Sequence, residues 1–163
     1  MDLQGRYLQE EDRSQESLTL TTMFPKKVKY RKWHVMRKNP SKIGIASRGT
    51  TVAFGSFGLK ATSFFRIRSE QIEAARKVIS REVGKNGKVW IRIFPDMPYT
   101  QKPAEVKLGK GKGDLQGYCV PVKPGRVMFE VDGVTEAVAR EALRKGGTKL
   151  PVTSTVVSRD FIA

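Results

Sequence analysis

The stretch Ser69–Phe94 reads SEQIEAARKVISREV-GKNG-KVWIRIF, and its hydrophobic period changes part-way along. Up to Val83 the apolar residues Ile72, Ala75, Ile79 and Val83 recur at three- and four-residue spacing, which places them on one face of a helix. Arg76, Lys77 and Arg81 fall outside that stripe. Ser69 is the expected N-cap, with Glu70 in the first turn at the positive end of the helix dipole. Gly84 and Asn86-Gly87 end the helix and turn the chain. From Lys88 the period is two: Val89, Ile91 and Ile93 on one face, Trp90, Arg92 and Phe94 on the other. That is a strand. Trp90 and Phe94 are read as core or second-face packing.

Outward from this unit the pattern repeats in kind. Upstream, Thr50–Ser56 reads as a strand, followed by a turn at Gly55 and Gly58. Downstream, Pro95, Pro98 and Pro103 frame a loop, and a short strand is expected at Ala104–Leu108. Gly117–Lys123 and Arg126–Val131 alternate and are joined by Pro124-Gly125, which predicts a hairpin. Pro121 lacks an N–H and assigns the first of these strands to an edge. After Asp132-Gly133, Thr135–Lys145 reads as a helix with Val134, Val138 and Ala142 at four-residue steps, stopped by Gly146-Gly147. Val152–Ser158 closes as a strand. Two helices against a mostly antiparallel sheet predict an α+β fold, with a basic extended N-terminal arm and a Gly/Lys loop attached.

Charge points to the partner. The 163 residues carry 31 Lys+Arg against 16 Asp+Glu, a net +15. Residues 1–22 hold five carboxylates against Arg6 and Arg13, so that segment is at −3 and the rest at +18. The sign reversal marks a boundary: 1–22 is read as a disordered acidic extension (native, artefactual or an over-called start), 23–49 as a basic arm, and 50–163 as the globular domain. Self-repulsion of this size favours a polyanionic partner. The pattern is the footprint of nucleic-acid binding. An anionic membrane would attract such a chain through a long basic amphipathic helix, and none is read here. Neither a membrane-spanning apolar run nor a secretory signal is present in the sequence, and a single Cys119 fits a reducing, cytosolic setting.

Catalysis lacks partners. One histidine, His34, and one cysteine, Cys119, cannot assemble a triad or a zinc site, so no enzyme, cofactor, metal or small-molecule substrate is expected. Cys119 is read as a small apolar filler. Gly109-Lys-Gly-Lys-Gly113 fails as a P-loop, because Asp114 stands where lysine and a hydroxyl residue are required. What remains is a flexible backbone able to approach phosphates while Lys107, Lys110 and Lys112 reach different ones, with Lys102 nearby. A solvated loop tip is the alternative. In the arm, cations supply salt-dependent affinity and interleaved aromatics can stack on unpaired bases. The candidate RNA contacts are Lys26, Lys27, Lys29, Tyr30, Arg31, Lys32, Trp33, His34, Arg37, Lys38, Lys42 and Arg48, with Lys60, Arg66, Arg68, Arg76 and Lys77 beyond the arm. The candidate loop comprises Lys102, Lys107, Gly109, Lys110, Gly111, Lys112 and Gly113. An RNA-modifying enzyme using the same surface, or a free RNA chaperone, are the competing classes.

Several motifs stand in order: Lys27-x-Lys29-Tyr-Arg-Lys32-x-His34, Phe54-Gly-Ser-Phe-Gly-Leu-Lys60-Ala, Gln71-Ile-Glu-Ala-Ala-Arg76, Gly87-Lys-Val-Trp-Ile-Arg-Ile-Phe-Pro95-Asp, Lys102-Pro, Gly109-Lys-Gly-Lys-Gly113, Phe129-Glu-x-Asp132-Gly-Val and Lys149-Leu-Pro. With these the chain, from about Met23 to Val157, closely resembles the bacterial-type ribosomal protein L-sixteen family of the large subunit. The resemblance implies an α+β domain with a hammerhead-like sheet, bound to large-subunit rRNA among neighbouring ribosomal proteins. It also implies a place beside the aminoacyl-tRNA site, help in positioning that tRNA, and a role in late subunit assembly. Lys26–Arg48 would run into rRNA and Lys107–Gly113 would point to the functional centre. The chain departs from the family at Lys107-Leu108, where Arg-Met is usual, at Phe64-Phe65, in a longer Val35–Arg48, and in residues 1–22.

Overall fold

The computed structural model describes residues 23–35, 43–107 and 109–159. The expected disorder of 1–22 and the candidate contacts Arg37, Lys38 and Lys42 lie outside the described residues. The chain runs β1 (Phe57–Ala61), β2 (Phe65–Arg68), α1 (Ser69–Val83), β3 (Lys88–Ile91), β4 (Met97–Gln101), β5 (Asp114–Val122), β6 (Val127–Asp132), α2 (Glu136–Gly147) and β7 (Ser154–Ser158). A four-stranded sheet has the order β3-β6-β1-β7 and a three-stranded sheet the order β2-β5-β4. Every strand pair is antiparallel. The fold is α+β, as the period change at Gly84–Gly87 predicts.

The core forms where the helices meet the larger sheet. Phe129 on β6 pairs with Leu59 of β1 on one side and Ile91 of β3 on the other. Phe129 and Leu59 join Ile72, Ile79, Ala139 and Leu143 in one buried cluster. Helix α1 buries the predicted stripe of Ile72, Ala75, Ile79 and Val83. Helix α2 differs from expectation: it buries Ala139, Ala142, Leu143 and Gly146, while Val138 is 40% exposed. Gly146 is not a stop signal. A Cβ there would lie 2.5 Å from Ile79 Cγ1, so the missing side chain lets the two helices close on each other.

Other corrections share one cause, the partner that a segment finds in three dimensions. Residues 50–56 form no strand; the strand lies at Phe57–Ala61, because the Ala53–Gly55 amides are turned toward a buried carboxylate. Tyr99 and its neighbours form β4 in spite of the prolines, and Pro98 is tolerated on an edge strand. The strand expected at 104–108 is absent from its described residues, which make a turn closed by Val106 N–H to the Pro103 carbonyl at 3.2 Å. β5 and β6 do not form a hairpin. Pro124-Gly125 is where the chain crosses between sheets, and the Gly125 N–H donates to the Ala61 carbonyl at 2.7 Å. β5 is the central strand of its sheet, yet β4 pairs with it only as far as Cys119, so Pro121 has β2 as its sole neighbour. Ser69 begins α1 rather than capping it. Its Oγ is buried without a hydrogen-bond partner, and the Arg68 N–H is instead satisfied by Gln71 Oε1 at 2.9 Å.

Candidate nucleic-acid interface

The arm and the loop, about eighty residues apart in sequence, meet. Phe24 packs edge-on against Tyr118 of β5, with ring centroids 5.9 Å apart. Further along, Lys32 Nζ lies 3.4 Å from Asp114 Oδ1 at the root of the loop. The Lys112 ammonium donates to the Trp33 carbonyl. A segment without periodicity is thereby laid along the smaller sheet by one aromatic contact and two cationic ones. Lys26, Lys27, Lys29, Tyr30, Arg31 and His34 stay exposed beside it, with Lys29 5.5 Å from the centroid of Tyr30.

The loop's glycines serve two different needs. Gly109 and Gly111 have φ of 91° and 88°, Lys110 between them has φ 55°, and a Cβ at either glycine would meet nothing within 4 Å. There glycine answers to backbone conformation alone. At Gly113 a Cβ would lie 2.7 Å from the Gln101 backbone, so glycine there allows β4 and β5 to approach. The Lys102 ammonium donates to the Gly109 carbonyl and closes the base. Lys107, Lys110 and Lys112 are exposed.

The remaining candidates are spread over the body. Arg66 and Arg68 project from β2, and Arg68 lies 4.9 Å from the centroid of Tyr99. Cys119 pairs across from Arg68 and is buried; burial raises its thiol above the ordinary value, which suits a filler rather than a nucleophile. Lys60 is half-buried in β1, and Arg48 is exposed ahead of it. Lys77 is exposed on α1, whereas Arg76 bonds Glu73 through Nε and Nη2 at 2.9 and 2.6 Å.

Charge is thus sorted by layer. On the helices Arg76, Arg140, Arg144 and Lys145 are ion-paired with Glu73, Glu136, Glu141 and Glu82. Among the described residues of the arm and loop only Lys32 meets a carboxylate, and that pair with Asp114 is exposed. Cations without a local counter-charge are the ones available to phosphate.

Sequence reasoning missed the device that holds the sheet's outer face. Glu130 of β6 is fully buried and accepts from the Ala53, Phe54 and Gly55 amides, the last two at 2.6 and 2.9 Å. It also accepts from the Arg92 guanidinium, which lies over the Phe54 ring. Burial pushes this carboxyl up, but the three amides and Arg92 together outweigh it and hold it below the ordinary range. Phe54 in turn stacks near Trp90, centroids 6.4 Å apart. The parity of Trp90 and Arg92 was visible in the strand; the partner of Arg92, 38 residues on, was not. Phe94, read as packing, is 45% exposed. No group of three or more His, Cys, Asp or Glu is placed to hold a metal among the described residues, and no helix there is long and apolar enough to cross a membrane.

Residues 25–157 match the family described as ribosomal protein L16p/L10e. The chain belongs to that family. It is similar to the large ribosomal subunit protein uL16 of Halorhodospira halophila, 53% identical over 135 residues, 83% of this chain and 96% of the relative. It is likewise similar to that of Cereibacter sphaeroides, 52% identical over 136 residues with the same coverage. A third relative, uL16 of Thermosipho melanesiensis, is 54% identical over 140 residues, 86% of this chain and 96% of its own. Membership makes the chain a structural protein of the large ribosomal subunit and not an enzyme. The family match begins at Pro25, so it covers most of the arm.

Proposed function

We propose that this protein binds large-subunit rRNA through the arm and the Gly/Lys loop, next to the aminoacyl-tRNA site. There it helps to position the incoming tRNA and supports late assembly of the subunit, ribosome-bound in the cytosol. One observation carries the RNA reading: two cationic segments distant in sequence converge, and among their described residues only Lys32 meets a carboxylate, whereas Arg140, Arg144 and Lys145 of α2 are all ion-paired. A folded RNA whose strands repel each other is the partner such a surface suits, since each neutralised phosphate releases counterions. The place beside the tRNA site is what the family resemblance implies, and the exposed loop lysines suit it.

Filter binding of the purified protein to large-subunit rRNA across a salt series tests the reading. For about 6–10 neutralised phosphates, affinity falls roughly 10³–10⁵-fold between about 50 and 200 mM salt. A flat profile would overturn it. Stable co-sedimentation with mature large subunits at moderate salt separates a resident protein from a transient chaperone.

A further inference from the structure

Between the two sheets lies a cleft of 760 Å³, away from the Gly/Lys loop and bordered on one side by Met23 and Ala46–Arg48 at the two ends of the arm. It opens where the chain passes from one sheet to the other, after β3 and between β5 and β6. Its lining includes four cations, Arg48, Arg92, Lys123 and Arg126, against the single carboxylate Asp96. Its floor is apolar, with Ile93, Val120 and Val122. Phe94 stands in its wall, and unlike Phe54, which already carries the Arg92 guanidinium, it has no aromatic or cationic partner among the described residues.

The cations fall into two kinds. Arg126 is built in: Nη1 donates to the Arg48 carbonyl at 2.8 Å and Nη2 to the Arg92 carbonyl at 3.1 Å. Arg92 is held by Glu130. Arg48 and Lys123 are exposed and meet no carboxylate among the described residues. A hydrogen-bonded positive wall, two exposed cations without a carboxylate and an unstacked aromatic ring form a combination that neither a hydrophobic ligand nor a simple anion would use in full.

We propose that this cleft receives one unpaired nucleotide of RNA, its base against Phe94 and its phosphate at Arg48 and Lys123. Unstacked bases in RNA loops and bulges are recognised by aromatic side chains in this way. The Asp96 carboxylate supplies an acceptor for an exocyclic amino group of the base. The inference rests on the RNA-binding reading above and adds a discrete single-nucleotide site to it.

The test compares an RNA hairpin carrying one bulged nucleotide with the same hairpin lacking it, using the full chain and two variants, Phe94→Ala and Phe94→Trp. The expected result is tighter binding of the bulged hairpin by wild type. Phe94→Ala removes roughly five- to hundredfold of that affinity, the range of about 1–3 kcal/mol per stacked base at tenfold per 1.4 kcal/mol. Phe94→Trp restores it, and neither variant changes the affinity for the unbulged hairpin. Phe94 is half exposed, so the folded state is retained, which circular dichroism checks directly. Equal affinities for the two hairpins, or an equal loss on both in Phe94→Ala, overturn the nucleotide site while leaving general salt-dependent rRNA binding intact. Excess free AMP competes with the bulge for the cleft and removes only the affinity the bulge adds; AMP that weakens both hairpins equally overturns the site. If polyglutamate binding is what Phe94→Ala removes, an acidic protein segment is the occupant and the proposal falls. Absence of any rRNA binding by wild type would bring down both readings together.

Discussion

Glu130 ties three parts of the chain together, and its chemistry is measurable. Its carboxylate joins β6 to the Ala53–Gly55 amides and to Arg92 at the end of β3, in full burial. In Glu130→Gln one oxygen becomes an N–H₂, which faces donors instead of accepting from them. The variant loses roughly 3 kcal/mol at neutral pH in urea unfolding, the low end for a broken buried pair because Arg92 keeps some solvent. The pH dependence has a definite sign. The folded-state pKa lies below the ordinary value of 4.5, so the stabilisation is present in full above that value. It is lost as pH falls through the lowered folded value. Asp132, held low by the Ser56 hydroxyl and the Gly133 amide, acts in the same direction. Wild type therefore destabilises steeply in acid, and Glu130→Gln shows a shallower slope over the same window. Parallel acid profiles for the two proteins would contradict this account.

At the scale of elements, the helix pair and the arm–loop junction each make a separate claim. Replacing glycine by alanine inside a helix is worth about 1 kcal/mol in propensity. At Gly146 the added methyl would meet the buried Ile79 side chain at 2.5 Å, and overpacking costs about 1–3 kcal/mol. The second effect wins, so Gly146→Ala lowers the thermal midpoint by a few degrees; adding Ile79→Val, which removes the crowded Cδ1, recovers part of the loss. The loop lysines work differently. Lys110→Ala combined with Lys112→Ala leaves the melting curve of the domain unchanged, since both side chains are exposed. It slows tRNA accommodation or stalls late subunit assembly, read as elongation rate and subunit profile. Because the Lys112 ammonium holds the Trp33 carbonyl, the arm of the double variant is also cleaved faster by trypsin at Arg31 and Lys32. Wild-type profiles and elongation in that variant would remove the loop from the functional account.

The whole molecule is governed by its charge. Beyond residue 22 the chain carries +18, and the helical layer keeps much of its own charge internally paired. The surplus lies on the arm, the loop and the sheets, where like charges repel one another in the free protein. Added salt therefore has opposite effects on two measurements. It raises the thermal midpoint of the free protein by screening that repulsion, and it weakens rRNA binding by reducing counterion release. A midpoint that falls as salt rises from low to moderate concentration would contradict the claim that surplus charge sets the stability.

The sequence by itself determined the two helices, the alternating strands after them and the family. Local periodicity fixes which face of α1 is buried and where the chain changes from helix to strand, because both depend on neighbours within a few residues. Net charge, being a sum, needs no structure, and the ordered motifs from Lys27 to Lys149 carry the family. Tertiary structure alone decided the division into two sheets, the place of β1 and the conversion of Pro124-Gly125 from an apparent hairpin into a crossing between sheets. It also decided the meeting of Lys32 and Trp33 with Asp114 and Lys112, and the cleft beside Phe94. The physical reason is shared. A buried carboxylate such as Glu130 redirects the backbone amides of residues 75–77 positions away, and no local pattern in Thr50–Ser56 records that a stronger acceptor than a neighbouring strand is waiting for them.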